Sequence, residues 1–137
     1  MECFKTFRKA PPSQLIMTLL VKNEESMLEE NLLFHKAMGV DSFIITDNNS
    51  TDSTPEIIRK YKQKGWIKEV IEEKATDYEQ KEWVDRMIWK AKTIYKADWI
   101  INADADELWY SPSGNLKTDL SATHANVLNC EMRSVYP

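Results

Sequence analysis

Short apolar runs alternate along the chain with amphipathic segments of helical spacing. Four runs have the length and composition of strands, and they lie at residues 15–21, 42–46, 66–71 and 99–103. Between consecutive runs, apolar residues recur at steps of three and four, which predicts one helix after each of the first three strands. This alternation predicts an α/β domain with a mostly parallel sheet and helices on both faces.

Glycine is scarce, and its positions exclude two nucleotide-binding motifs. Only Gly39, Gly65 and Gly114 occur in 137 residues, too far apart for a dinucleotide-binding fingerprint or a P-loop. Gly39 and Gly65 stand where two of the predicted helices end. Because 42% of the residues are hydrophobic, the chain can bury a core of its own. Any nucleotide bound by this domain is therefore held by means other than a glycine-rich loop.

The formal net charge of −4 disfavours nucleic acid as a partner. The first 22 residues differ from the rest, because one acid, Glu2, stands against four basic residues, Lys5, Arg8, Lys9 and Lys22. We predict a flexible basic lead-in over residues 1–14, which suits either an anionic membrane surface or a solvated arm, and a domain over residues 15–137. Cys3 and Cys130 lack metal-ligand spacing, which favours reduced thiols and a cytoplasmic location.

Polar clusters directly follow three of the predicted strands. They occupy residues 22–25, 47–52 and 104–107. The carboxyl ends of parallel strands meet at one edge of a sheet, where α/β proteins bind their ligands. We therefore predict that these clusters form one site.

The cluster at residues 104–107 is the most informative of the three. Asp104 and Asp106 are separated by one residue, so in extended backbone both carboxylates lie on the same side, about 6–7 Å apart at Cα. Mg²⁺ and Mn²⁺ prefer oxygen ligands and leave coordination positions for substrate phosphates. Glu107 adds a third carboxylate. Two hypotheses are open: the pair binds a metal and a diphosphate, or it caps the next turn.

The other two clusters also have two interpretations each. Asp47 can accept a hydrogen bond from a base and Asn48 can both donate and accept, but the same run is typical of a turn that caps a helix at Thr54. Asn23 and Glu24 either close a loop or line a base and ribose pocket.

Four further residues are candidates of lower specificity. Arg86 is either a surface cation or a group that reaches a base or phosphate, and His35 is predicted to be a hydrogen-bonded core histidine rather than a ligand. Trp83 falls at core spacing, whereas Trp109 follows the acidic cluster and can stack on a sugar or base ring. The sequence contains no GxSxG, Cys-His or HExxH arrangement, which leaves hydrolase and zinc-protease functions without support.

Two motifs together resemble the GT-A glycosyltransferases of the family 2 type, in particular a bacterial subgroup. The first is the series VKNEE, FH, GVD and DNNSTDST from Val21 to Thr54, and the second is DWI followed by DADE from Asp98 to Glu107. The resemblance covers residues from about 15 to 109. It implies a Rossmann-like GT-A fold and transfer of a sugar from a nucleoside-diphosphate donor to a saccharide or lipid-linked acceptor, in surface polysaccharide synthesis.

The resemblance also implies roles for individual residues. The donor would be held by Val21, Asn23, Glu24, Asp47, Asn48, Arg86 and Asp104, and a bridging Mg²⁺ or Mn²⁺ by Asp104 and Asp106. Relatives often have two consecutive aspartates where this chain has Asp47 and Asn48, which leaves open which side chain touches the base.

Relatives carry the catalytic base in a later, acceptor-binding half, and this chain ends 31 residues after Asp106, with Asp119 as a distant candidate. We therefore expect the donor-binding half of such an enzyme. The alternatives are a non-catalytic nucleotide-sugar binding module and, with less support, a metal-dependent phosphotransferase.

Overall fold

The computed structural model describes residues 2–5, 14–77, 79–121 and 127–129, which form six strands and four helices. The strands are β1 (Glu2–Lys5), β2 (Leu15–Val21), β3 (Ser42–Asn48), β4 (Ile67–Glu73), β5 (Trp99–Asp104) and β6 (Val127–Asn129). The helices are α1 (Leu28–Ala37), α2 (Thr54–Gln63), α3 (Gln80–Thr93) and α4 (Leu116–Ser121).

The six strands form one sheet in the order β4-β3-β2-β5-β1-β6. The four strands predicted from the sequence are parallel to one another, with β2 between β3 and β5. The apolar run of β2 is buried on both faces, as a central parallel strand requires. Since Leu20 is aligned with Thr46 of β3 and with Asp104 of β5, the three strands end side by side.

Helices cover both faces of the sheet, as predicted. On one face, α1, α2 and α4 bury Leu32, Ile58 and Leu120 in a cluster with side chains of β2, β3 and β5. On the other face, α3 buries Met87 and Ala91 against a second set of strand side chains. The α/β fold with a mostly parallel sheet is therefore confirmed.

The structure corrects the sequence analysis at two places. Glu2–Lys5 forms β1, antiparallel to β5 and β6, where we predicted a flexible lead-in. Asp47 and Asn48 belong to the end of β3 rather than to a turn, and α2 begins at Thr54, with Ser53 in the N-cap position.

Some predictions concern residues outside the described ranges. Arg8, Lys9 and Cys130 are among them, and after residue 121 the structure describes only β6. Within the described part of the chain, no helix is both long enough and apolar enough to cross a bilayer.

Candidate functional site

A cavity of about 340 Å³ opens at the carboxyl ends of the parallel strands. It lies at the point where the direction of the chain across the sheet reverses, because β3 and β4 lie on one side of β2 and β5 lies on the other. Ligands of open α/β sheets bind at such reversal points. The residues that line the cavity come from the ends of three strands and the start of α3: Leu20, Val21, Lys22, Glu24, Asn48, Gln80, Trp83, Asp104, Ala105 and Asp106.

The cavity unites five of the eight predicted site residues, Val21, Glu24, Asn48, Asp104 and Asp106. Asn23, Asp47 and Arg86 are not among its lining residues, and their contact with a nucleotide stays a prediction.

Five lining residues were not among these eight, namely Leu20, Lys22, Gln80, Trp83 and Ala105. Lys22 belongs to the first motif, and its position directly after a strand could have predicted that it lines the cavity. Gln80 and Trp83 lie in the first turn of α3, and only the path of the chain across the sheet brings that turn to the cavity.

The acidic segment, Asp104–Glu107, turns sharply where β5 ends. The amide of Glu107 donates to the carbonyl oxygen of Asp104 at 3.0 Å, and the amide of Asp104 donates to Oε1 of Glu107 at 2.7 Å. Glu107 therefore stabilises the turn with its carboxylate. Asp104 and Asp106, in contrast, line the cavity.

The electrostatics of the cavity favour a cation. Burial raises the pKa of Asp104, and the neighbouring charge of Asp106 raises it further. The pKa of Glu24 is raised by burial and then by repulsion from Asp106 and Asp104. A bound cation would relieve this repulsion, because it favours the charged forms of all three carboxylates.

A metal ion at this site requires ligands from a substrate. Within residues 2–5, 14–77, 79–121 and 127–129, no three histidine, cysteine or acidic side chains form a group that could hold a metal ion. Mg²⁺ and Mn²⁺ need no such group in phosphate-binding sites, because one or two carboxylates suffice when phosphate oxygens and water complete the shell. Asp104 and Asp106 fit this second kind of site.

Asn23 and Asp47 tie two loops together beside the cavity. Asn23, which has a φ of 52°, accepts hydrogen bonds through Oδ1 from the amides of Thr51 at 2.7 Å and Asp52 at 3.3 Å. The backbone amide of Asn23 donates to Oγ of Ser50, and the Ser50 hydroxyl donates to Oδ1 of Asp47. Of the two interpretations proposed for Asn23, the structure shows loop closure, and the partner is the loop after β3.

Asn48 and Arg86 both bond to the end of β4. The side-chain amide of Asn48 donates to the carbonyl oxygens of Glu73 at 3.0 Å and Ala75 at 2.9 Å. Nη2 of Arg86 lies 2.7 Å from Oε2 of Glu73, and this hydrogen bond lowers the pKa of Glu73. Arg86 thus links α3 to β4.

His35 is the hydrogen-bonded core histidine that the sequence predicts. It is fully buried, and its ring nitrogens contact Oδ1 of Asn31 at 3.0 Å and the amide nitrogen of Trp109 at 2.9 Å. Burial lowers its pKa to about 4, so the ring is neutral at physiological pH. The prediction that Trp109 is available for stacking is wrong, because its side chain lies in the core with Leu116 and Leu120.

Comparison with known proteins identifies a family. The model of glycosyltransferase family 92 matches residues 17–129, whereas the motifs led us to expect the family 2 type. A comparison with curated protein sequences finds no significant match.

Three solved structures share the fold. The chain is similar to S. aureus TarS 1–349, with a TM-score of 0.61 and 18% identity over 80% of this chain and 31% of that one. The complex of the same protein with UDP has a TM-score of 0.62, also at 18% identity and with the same coverage. A mannosyltransferase from Pyrobaculum calidifontis, PcManGT, in complex with GDP-Man and Mn²⁺, has a TM-score of 0.52 at 19% identity over 78% of this chain and 32% of that one. The chain thus spans about a third of each neighbour's length, and the likeness confirms the predicted GT-A fold.

Proposed function

Because the chain belongs to glycosyltransferase family 92, we propose that it forms the donor site of an enzyme that transfers a sugar from a nucleoside diphosphate to an acceptor hydroxyl. The cavity at the carboxyl ends of β2, β3 and β5 carries this proposal, because its lining includes two aspartates suited to a metal and a diphosphate. The structural neighbours add support, since one was solved with UDP and another with GDP-Man and Mn²⁺.

The base and ribose occupy the end of the cavity near β2 and β3. Val21 and Trp83, which are 1% and 5% exposed, form part of the wall at this end of the cavity. Glu24 and Asn48 provide polar atoms for the ribose hydroxyls and the base edge. Asn48 is rigid in this role, because its amide group is already bonded to two backbone carbonyls.

The diphosphate lies beside the acidic segment. Asp104 and Asp106 would hold Mg²⁺ or Mn²⁺, which would supply positive charge to stabilise the leaving nucleoside diphosphate. Because β5 ends at Asp104 and the Glu107 carboxylate fixes the following turn, the two aspartates are held in place before the donor arrives.

The finer assignments rest on the sequence alone. They are the likeness to the family 2 type, a saccharide or lipid-linked acceptor, a role in bacterial surface polysaccharide synthesis and a cytoplasmic location at or near the membrane. Asp119 is not placed for the role of base in the described part of the chain, since it accepts a hydrogen bond from Ser111 and does not line the cavity.

Calorimetric titration tests the donor site. The protein would be titrated with UDP, GDP, ADP, CDP and their common sugar derivatives, with Mn²⁺ or with a chelator. We expect at least one nucleotide to bind and Mn²⁺ to strengthen its binding. Absence of binding by every nucleotide, or binding that Mn²⁺ leaves unchanged, would contradict the proposal. Release of nucleoside diphosphate from a bound sugar nucleotide then separates an enzyme from a module that only binds.

A further inference from the structure

Two polar side chains lie on the buried face of α1, where apolar side chains would be expected. Asn31 and His35 are 1% and 0% exposed. They are four residues apart, so they are neighbours on one face of the helix. Leu28 and Leu32 complete the same buried surface.

Asn31 binds the backbone of the acidic segment. Its Nδ2 donates to the carbonyl oxygens of Ala105 at 2.9 Å and Glu107 at 3.0 Å, with a longer contact of 3.4 Å to that of Asp104. The two closer carbonyls flank Asp106 in sequence. One side chain thus holds the backbone on both sides of a proposed metal ligand.

His35 forms hydrogen bonds to Asn31 and to Trp109, which follows the acidic segment. Its Nε2 faces the amide of Trp109 at 2.9 Å, so Nε2 must be the unprotonated acceptor. Nδ1 therefore carries the proton and donates to Oδ1 of Asn31 at 3.0 Å. The amide of Trp109, His35, Asn31 and two loop carbonyls form one continuous chain of hydrogen bonds, in which each donor has an acceptor.

This network satisfies backbone groups that no strand or helix pairs. Residues 105–109 follow β5 without regular structure, and a buried backbone group left without a partner is destabilising. Apolar residues at positions 31 and 35 could fill the space but would leave those groups unpaired. The polar pair thus ties the conformation of the acidic segment to α1.

We propose that Asn31 and His35 are positioning residues for the donor site, which hold the acidic segment so that Asp104 and Asp106 line the cavity together. This inference rests on the proposed function. Neither residue touches the donor or the metal, and both act through the backbone of residues 105–109. Partners of this kind commonly change metal affinity by about 10–100-fold when they are removed.

Four variants separate positioning from general stability. Asn31→Ala removes the two donors, and His35→Leu removes the acceptor for Trp109. His35→Gln is the conservative variant, because its amide oxygen can still accept from that backbone amide. Leu32→Ala is the matched control, since it removes buried apolar volume from the same helix face and no hydrogen bond. Urea unfolding records the stability of each protein.

The readout is the affinity for UDP and GDP with and without Mn²⁺. We expect Asn31→Ala and His35→Leu to reduce the gain in affinity from Mn²⁺ by about 10–100-fold and to leave metal-free binding unchanged. His35→Gln should recover part of the lost gain. Leu32→Ala should lose stability and keep the Mn²⁺ gain. If Asn31→Ala keeps the gain as the control does, the positioning role is overturned while the donor site stands.

Two further results also decide the question. A wild-type protein that binds none of the nucleotides would overturn the proposed function and this inference with it. Hydrogen exchange of the Trp109 amide needs no ligand: we expect strong protection in the wild type and rapid exchange in His35→Leu. Unprotected exchange in the wild type would overturn the inference, and this measurement holds even if Asn31→Ala fails to fold.

Discussion

Two groups of polar residues at the same edge of the sheet use their side chains differently. The loop cluster, which consists of Asn23, Asp47, Ser50, Thr51 and Asp52, bonds mainly to itself and ties the loop after β2 to the loop after β3. The acidic segment is held by bonds to its backbone and by the Glu107 carboxylate, while Asp104 and Asp106 line the cavity.

The pKa shifts of Asp52 and Asp104 run in opposite directions. Burial acts to raise the pKa of Asp52, but hydrogen bonds from Thr54 and Glu25 outweigh it and hold that pKa below its ordinary value. The pKa of Asp104 is raised by burial and by Asp106. The fold therefore stabilises the charged form of Asp52 and opposes that of Asp104.

The largest expected effect comes from Asp106. Asp106→Asn removes a proposed metal ligand with little change of shape, and we expect it to lower the Mn²⁺-dependent affinity for nucleoside diphosphate more than about 100-fold, which is about 2.7 kcal/mol. Asp85→Asn is the matched control, because it removes an exposed carboxylate that pairs with Lys81 on α3. Equal affinities for the two variants would show that Asp106 does not bind the metal. The functional difference between the acidic segment and the loop cluster would then be lost.

A change in the loop cluster should affect stability instead. Asn23→Ala removes the acceptor of two loop amides and leaves alanine at a positive φ, so we expect a loss of about 1–3 kcal/mol in the free energy of unfolding by urea. Asn23→Asp keeps the acceptor and should retain most of the stability. A larger loss of Mn²⁺-dependent binding than of stability would place Asn23 in the donor site.

Acid should weaken the support of the acidic segment. The folded protein keeps His35 neutral down to a pKa of about 4, whereas the unfolded chain takes up a proton near 6.5. Between these values the unfolded state binds the extra proton, so this histidine makes stability fall as pH falls, by up to about 1.4 kcal/mol per pH unit. Urea unfolding at several pH values would show this slope in the wild type and lose it in His35→Gln. If the variant keeps the same slope, titratable groups other than His35 cause the pH dependence of stability.

The smallest expected effect concerns Arg86. Because its guanidinium is paired with Glu73, we expect Arg86→Gln to leave nucleotide affinity unchanged and to lower stability only slightly. Lys81→Gln, which breaks an exposed ion pair on the same helix, is the control. A clear loss of affinity in Arg86→Gln alone would support the nucleotide contact that the sequence resemblance implied.

Regular elements could be predicted from the sequence because local patterns specify them. The apolar run at Leu15–Val21 matches β2 residue for residue, and Gly39 and Gly65 follow helix ends with positive φ. The strand β1 could not be predicted, because it is short and its pairing with β5 joins residues about 100 positions apart.

The site was predictable in position but not in detail. Strand ends and their polar residues located the cavity, since parallel strands bring their carboxyl ends together. The partners of Arg86 and Asn23 could not be predicted, because Glu73 and Thr51 reach them only in the folded chain. Trp109 was misjudged because its sequence position beside the acidic segment resembles that of a binding residue, whereas its side chain turns into the core.

Paramagnetic broadening of backbone amide signals by Mn²⁺, in the presence of the nucleoside diphosphate that binds best, locates the metal in the protein. We expect the strongest broadening at Asp104, Ala105 and Asp106, a lesser effect at Glu24, and little at Thr51 in the loop cluster. Broadening centred on residues 47–52, or spread evenly over the surface, would contradict the assignment of the metal and diphosphate to the acidic segment.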